Sequence, residues 1–367
     1  MANDSVDPAL RSKLARSVLT NNLRLQKGER VIVEAWTHTL PWAVAFAREA
    51  RRIGAQALVP YEDEEAWWDA VDDGEEGVLG KAAAHEWAAL GKTDVYLHMW
   101  GPGDRVRLNA LPEKRANRLF EFNPGWYAAA TKAGLRGARL ELGRPFPTLA
   151  RAYGVDESEW RDELIRATMV SPDALGRAAI PIAKALERGK KLRIRDEGGT
   201  DLTLGLARRT AVTNAGRLTP ADLKRPFRML LNLPSGSVRV ALDETVAEGT
   251  IVGNRTSYYD DGSATGGVLR FHKGKLAEAE FAHGGERFDE AFKKGGEGRD
   301  RPGLFSIGLN PHLHDTPQVE DLELGAVMVS VGGNRNAGGK NAAPFFGWVV
   351  NQGATVEIDG KPLSIHR

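Results

Sequence analysis

The chain has 367 residues, 42% of them hydrophobic and 27% charged, which predicts a soluble globular protein of two domains rather than one core. Fifty basic residues stand against 49 acidic ones, and this balance argues against nucleic acid or an anionic membrane as partner and in favour of a small molecule. With no cysteine, the chain is expected to hold no disulfide, thiolate nucleophile or Cys-based metal site. The polar, acidic start (Met1 to Pro8) and the lack of a long apolar run point to a cytoplasmic protein.

In chain order, Lys27-Gly28-Glu29 forms a turn before a β-rich run, Val31 to Trp36. Apolar positions at helical spacing over 40–53 (Leu40, Ala43, Val44, Ala47, Ala50) predict a helix closed by Gly54, and 55–59 returns to strand. The alternation repeats with a helix over 81–90, a strand over 94–100, a helix over 112–119 and a strand over 138–142. Helical segments near 156–168 and 172–187 end this half. Strands separated by such helices predict an open parallel sheet covered on both faces.

The texture changes at Gly189-Lys190-Lys191. Strand-like runs then alternate with glycine-rich turns: 192–195, 202–204, 238–241, 249–253, 268–272, 275–281, 326–331 and 355–358, with one helix over 287–294. The expectation is an α/β domain over 1–188, a β-rich α+β domain over 189–367, and a ligand cleft between them.

Several segments resemble one known family. They are Asn232-Leu233-Pro234-Ser235-Gly236-Ser237 with Glu248-Gly249-Thr250-Ile251, then Ile307-Gly308-Leu309-Asn310-Pro311, then Gly325 to Gly332, and Gly338-Gly339-Lys340-Asn341. These resemble the thermophilic aminopeptidases (aminopeptidase T/S), and also a ring-cleaving relative, the iron-dependent 2,5-dihydroxypyridine dioxygenase. The resemblance implies a homodimer and a divalent metal, but the ligand positions are changed. The glutamate after Leu-Pro-x-Gly is Ser237, and the acid or histidine before Gly-x-Asn-Pro is Leu304. The histidine of the next strand is Met328, and a tyrosine beyond it is Arg335. The last His-x-Asp pair is Phe346 and Trp348. Carboxylate and imidazole donors are what such metals need. Neither the aminopeptidase metal nor the dioxygenase iron therefore carries over, and no cofactor is expected.

The leading expectation is a metal-independent hydrolase or lyase acting on a small aromatic or heteroaromatic compound. Trp348 and Phe346 stack the ring, Leu304 and Met328 line the site, and Arg335, Lys340 or Asn341 on the glycine-rich loop anchor an anionic group. Asp243 or Glu244 handles protons and Ser237 is a candidate nucleophile. Two alternatives stand beside this reading. One is a metallo-aminopeptidase with ligands relocated to His312, His314 and Asp315. The other is a non-catalytic scaffold or partner subunit. Tyr258-Tyr259-Asp260-Asp261 reads as a loop and His272 as part of a hairpin turn, while His38 and His98 sit at strand ends where α/β sheets bind ligands.

Overall fold

The structure is a computed structural model describing residues 6–75, 80–224 and 228–365; the first five residues of the polar N-terminus lie outside the described residues. The chain separates into two compact units, one of 1–172 with 216–234 and the other of 173–215 with 235–367. The sequence placed its boundary near 188. Among the described residues, no helix is long and apolar enough to cross a membrane.

The first unit carries a five-stranded sheet in the order Leu230–Leu233, Arg136–Leu140, Val95–Met99, Arg30–Val33, Gln56–Leu58, with every pairing parallel. Helix Leu40–Ile53 forms over the predicted span, although Leu40 and Val44 of the predicted apolar face are exposed. It buries Trp42, Ala43, Phe46, Ala47 and Ala50 and ends at Gly54, whose φ of 95° is the left-handed cap that glycine adopts without a Cβ penalty. From strand 30–33 the chain first steps outward to 56–58. It then crosses back to 95–99 on the other side, so the strand order reverses between 30–33 and 95–99. Several elements differ from expectation, helices Pro8–Ser17, Glu64–Asp73, Arg105–Asn109 and Pro147–Tyr153 among them. Helix Asn123–Ala133 went unread because Pro124 and Gly125 open it, and strand Leu230–Leu233 joins this sheet although it lies among the β-rich segments in sequence.

The second unit is built on an 11-stranded sheet. Its centre is strand Ser237–Val252, which the sequence reading had split into two; an irregularity between Leu242 and Ala247 interrupts its pairing with Asp201–Leu206. Strands Pro302–Gly308, Ala326–Gly332 and Phe346–Gln352 add antiparallel to it in that order. The first and last of these three were not anticipated. Alternation sorts their side chains onto two faces. Val238, Val240, Phe305, Ile307, Val327, Val329 and Val349 are buried to 1% exposure or less on one face, where they form the core. The opposite face holds the residues at the family positions.

Candidate functional site

Strand register brings the sequence-predicted residues together. Arg239 lies opposite Ser306, Ser306 opposite Met328, and Met328 opposite Val350; in neighbouring rows Ser237 faces Gly308, Ala241 faces Leu304, Ser330 faces Trp348 and Gly332 faces Phe346. Directly paired residues project to the same side. Ser237, Leu304, Met328, Phe346 and Trp348 therefore share one face. Leu304 and Trp348 pack on a buried cluster of Ala326, Met328 and Val350.

The two motif segments are also tied to each other. Leu309 N donates to Gly236 O at 2.9 Å, and Asn310 Nδ2 donates to Ser235 O at 2.7 Å. Gly236 is required at this junction. Its φ is 130°, and a Cβ there would sit 3.0 Å from Asn310 N.

A short 3₁₀ turn, Glu320–Leu322, lies over the same face. Asp321 Oδ2 accepts from Arg239 at 2.7 Å and from Ser306 Oγ at 3.2 Å. Glu320 is 3% exposed, and its Oε1 accepts the indole N–H of Trp348 at 3.1 Å. Burial, reinforced by the neighbouring Asp321 charge, pushes the Glu320 carboxyl up to about 8. Tyr259 packs against Trp348 with ring centroids 5.2 Å apart, and Phe346 packs on Trp348 at 5.7 Å. Burial, with Glu320 next, raises the Tyr259 phenol to about 12. At the edge of this group is a pocket of about 260 Å³ lined by Tyr259, Arg287, Phe288, Phe345, Phe346 and Trp348, with Asp261 paired to Arg287 at its rim. Tyr259, Arg287 and Glu320 carry no signal in the sequence: a Tyr-Tyr-Asp-Asp run and a Glu-Asp-Leu-Glu run look like solvated loops, and Arg287 like one more charge on a short helix.

Other predicted residues take different positions. Glu244 is gripped by the Arg209 fork at 2.8 and 2.7 Å and also accepts from Asn334 Nδ2 and Lys340 N. Burial raises its pKa, but these donors outweigh burial and hold the carboxyl down to about 2. Glu244 is thus a fixed anion that secures the 334–341 loop and is not poised as a base. Asp243 accepts from the backbone and hydroxyl of Thr245, closing its own turn. Asn341 is occupied in bracing the same loop, with its amide donating to Gly298 O and Gly332 O. Arg335 and Lys340 are exposed and do not line the pocket. Ser237 is fully buried, and its hydroxyl has no hydrogen-bond partner among the described residues. His272 pairs with Glu248 beside its hairpin, as its sequence context suggests.

The donor chemistry does not fit the metal that the resemblance implies. A serine, a leucine, a methionine and two aromatic residues occupy the strand positions, and a divalent cation needs several carboxylates or imidazoles. His312 and His314 are exposed, whereas the Asp315 carboxylate is turned into Thr256, accepting from its N and Oγ1 at 3.0 Å each. Among the described residues no group of three or more His, Asp or Glu side chains is arranged to hold a metal ion.

Two solved structures share this fold over nearly their whole length. AmpT from Thermus thermophilus matches with a TM-score of 0.71 at 22% identity, covering 97% of this chain and 98% of that one. The 2,5-dihydroxypyridine dioxygenase from Pseudomonas putida KT2440 matches with a TM-score of 0.63 at 17% identity, covering 98% and 96%. At these identities the likeness establishes the fold. No curated protein matches the sequence significantly. The family profile of the thermophilic metalloproteases (M29) matches residues 9–310, and the chain belongs to that family.

Proposed function

We propose that this member of the M29 family is a hydrolase or lyase that acts on a small aromatic or heteroaromatic compound without a metal at the family positions. The observation that carries this reading is the side-chain content of one sheet face. Leu304, Met328, Phe346 and Trp348 stand where the resemblance implies metal ligands, and the aromatic pair continues into a pocket. A pocket of about 260 Å³ is slightly smaller than the ~300 Å³ at which drug-sized sites begin, which suits a single ring. Trp348, Phe346 and Tyr259 supply its stacking surface. Arg287 at the rim takes the anchoring role first given to Arg335 or Lys340. Glu320 replaces Glu244 as the proton-transfer group, because its carboxyl bonds the Trp348 indole at the pocket wall and has its pKa near neutrality, whereas Glu244 is held near 2 by Arg209; Asp243 is occupied in closing its own turn. A substrate of this class also agrees with a fold shared by a protein named for a dihydroxypyridine.

The test is turnover of aryl esters, aryl amides and hydroxypyridines, measured with and without chelator, on the wild type and on Trp348→Ala. The expected result is chelator-insensitive turnover of an aromatic compound that falls at least tenfold in Trp348→Ala. Chelator-sensitive release of N-terminal residues from peptides, with aromatic compounds untouched, would establish the relocated-metal alternative instead.

A further inference from the structure

The first unit holds a second group of polar side chains that the proposed reaction does not use. In its parallel sheet, His98 pairs with Arg139 and Arg139 with Asn232, while Val33 pairs with Leu97, which puts Glu34 level with His98. Glu34, His98, Arg139 and Asn232 therefore form a transverse row on one face, at the carboxyl ends of four adjacent strands. With strands about 4.8 Å apart the row spans roughly 14 Å. It crosses the place where the strand order reverses, which is where open α/β sheets bind ligands.

The chemistry of the row is uneven. Glu34 is saturated, accepting from Tyr96 Oη at 2.7 Å, His98 Nδ1 at 2.9 Å and Trp36 Nε1 at 3.2 Å. Burial works against its charge, but His98, Tyr96 and Trp36 outweigh burial and lower its pKa. Glu34 holds His98 through Nδ1, and His98 Nε2 makes no hydrogen bond among the described residues. Arg139 is partly buried and donates to the Tyr127 hydroxyl, but no carboxylate lies within ion-pair distance of it among the described residues. The exposed Asn232 amide likewise has no hydrogen-bond partner there. An unopposed guanidinium, a side-chain amide and a free imidazole nitrogen thus lie side by side. Around them are aromatic rings: Trp100 edge-on to His98 at 5.2 Å, Trp126 edge-on to Tyr96 at 5.0 Å, and Tyr127 beside Arg139. Arg144 stacks over Trp100 at 4.0 Å, and Glu141 accepts its indole N–H at 3.1 Å, so that wall is held in place.

We propose that this row is a binding site for a small aromatic carboxylate. Arg139 takes the carboxylate through its fork, Asn232 donates to the same anion, and His98 Nε2 hydrogen-bonds a polar ring substituent, with Trp100 and Tyr127 against the ring.

The test is isothermal titration of full-length Trp348→Ala, which lacks the ring-stacking wall of the second-unit pocket, with benzoate and with neutral benzamide as its isostere. The expected result is one benzoate site per chain and at least about tenfold weaker binding of benzamide. Arg139→Gln is expected to weaken benzoate about tenfold or more. Asn232→Leu alters an exposed side chain with no internal hydrogen bond, so it tests the site without threatening the fold, and it is expected to weaken benzoate severalfold. Both changes are made in the Trp348→Ala background, so that the second-unit pocket, proposed above for small aromatic compounds, does not supply the heat. Three results would overturn the proposal: no benzoate heat in the Trp348→Ala background, equal binding of benzamide, or affinity kept in both Arg139→Gln and Asn232→Leu. None of the three bears on turnover, so the two sites stand or fall separately.

Discussion

Replacing Glu320 with glutamine gives a stability test of the buried carboxyl that needs no substrate. In the folded protein the group titrates at about 8 against an ordinary value of 4.5, because burial and the Asp321 charge disfavour its ionised form. Between those two values the folded state binds more protons than the unfolded state, so stability falls as pH rises. It is greatest below pH 4.5 and is lost progressively until the folded group ionises. Each pH unit in that window costs about 1.4 kcal/mol, and the total reaches on the order of 4 kcal/mol by pH 8. Glutamine keeps the shape and still accepts the Trp348 N–H, but it does not titrate. Glu320→Gln should match the wild type near pH 5 and exceed it at pH 8. At roughly 2–4 °C per kcal/mol for a unit of this size, the gap in Tm at pH 8 is on the order of 10 °C. The assay is thermal unfolding of both proteins at half-unit steps from pH 5 to 8.5, followed by tryptophan emission. Parallel curves with a constant gap would refute the reasoning, since they would mean that Glu320 is ionised throughout or solvated in the fold.

The Glu244 anion has the opposite sign. Its pKa is held at about 2, so the stability it contributes is present above pH 4.5 and lost as pH falls towards 2; Glu244→Gln should flatten acid unfolding and cost about 1–3 kcal/mol at pH 7, read from denaturant midpoints. Gly236→Ala should cost about 1–3 kcal/mol, because it forces a left-handed backbone on alanine and presses a Cβ onto Asn310; a change below 0.5 kcal/mol would show that the motif junction is slack. Dialysis against chelator should leave Tm within about 1 °C, since metal bound at a hundred times its Kd would add about 2.7 kcal/mol; a larger drop would reveal a structural ion.

Much of this architecture could be read in the chain, for physical reasons that differ between segments. Helix 40–53 was legible because its apolar face, its proline near the start and Gly54 at its end all agree. Strands 302–308 and 346–352 were not, since glycines (Gly303, Gly308, Gly347) sit inside them and 302–308 holds a single β-branched residue, Ile307. The altered family positions were identifiable from motif spacing alone, and strand register then gathered Ser237, Leu304, Met328, Phe346 and Trp348 on one face. Ionisation state was the illegible part. Glu244 looked like a free acid because Arg209, which neutralises it, lies 35 residues upstream on another segment. Glu320 looked like an ordinary loop acid because Trp348, which covers it, lies 28 residues downstream.

The return of residues 216–234 to the first unit bears on how the protein is made. The parallel sheet of that unit gains strand 230–233 only after the chain has already supplied 173–215 to the other unit. On the ribosome, a nascent chain cut off at residue 172 therefore presents an unfinished sheet. The backbone donors and acceptors of strand 136–140 stay open along the flank that 230–233 later closes, and open flanks of this kind recruit other chains. At ~5–20 residues per second, that flank stays bare for several seconds during each round of synthesis. Fragments ending near 172 or 188 should accordingly aggregate when expressed alone. A soluble first unit needs residues 216–234 grafted on through a short linker.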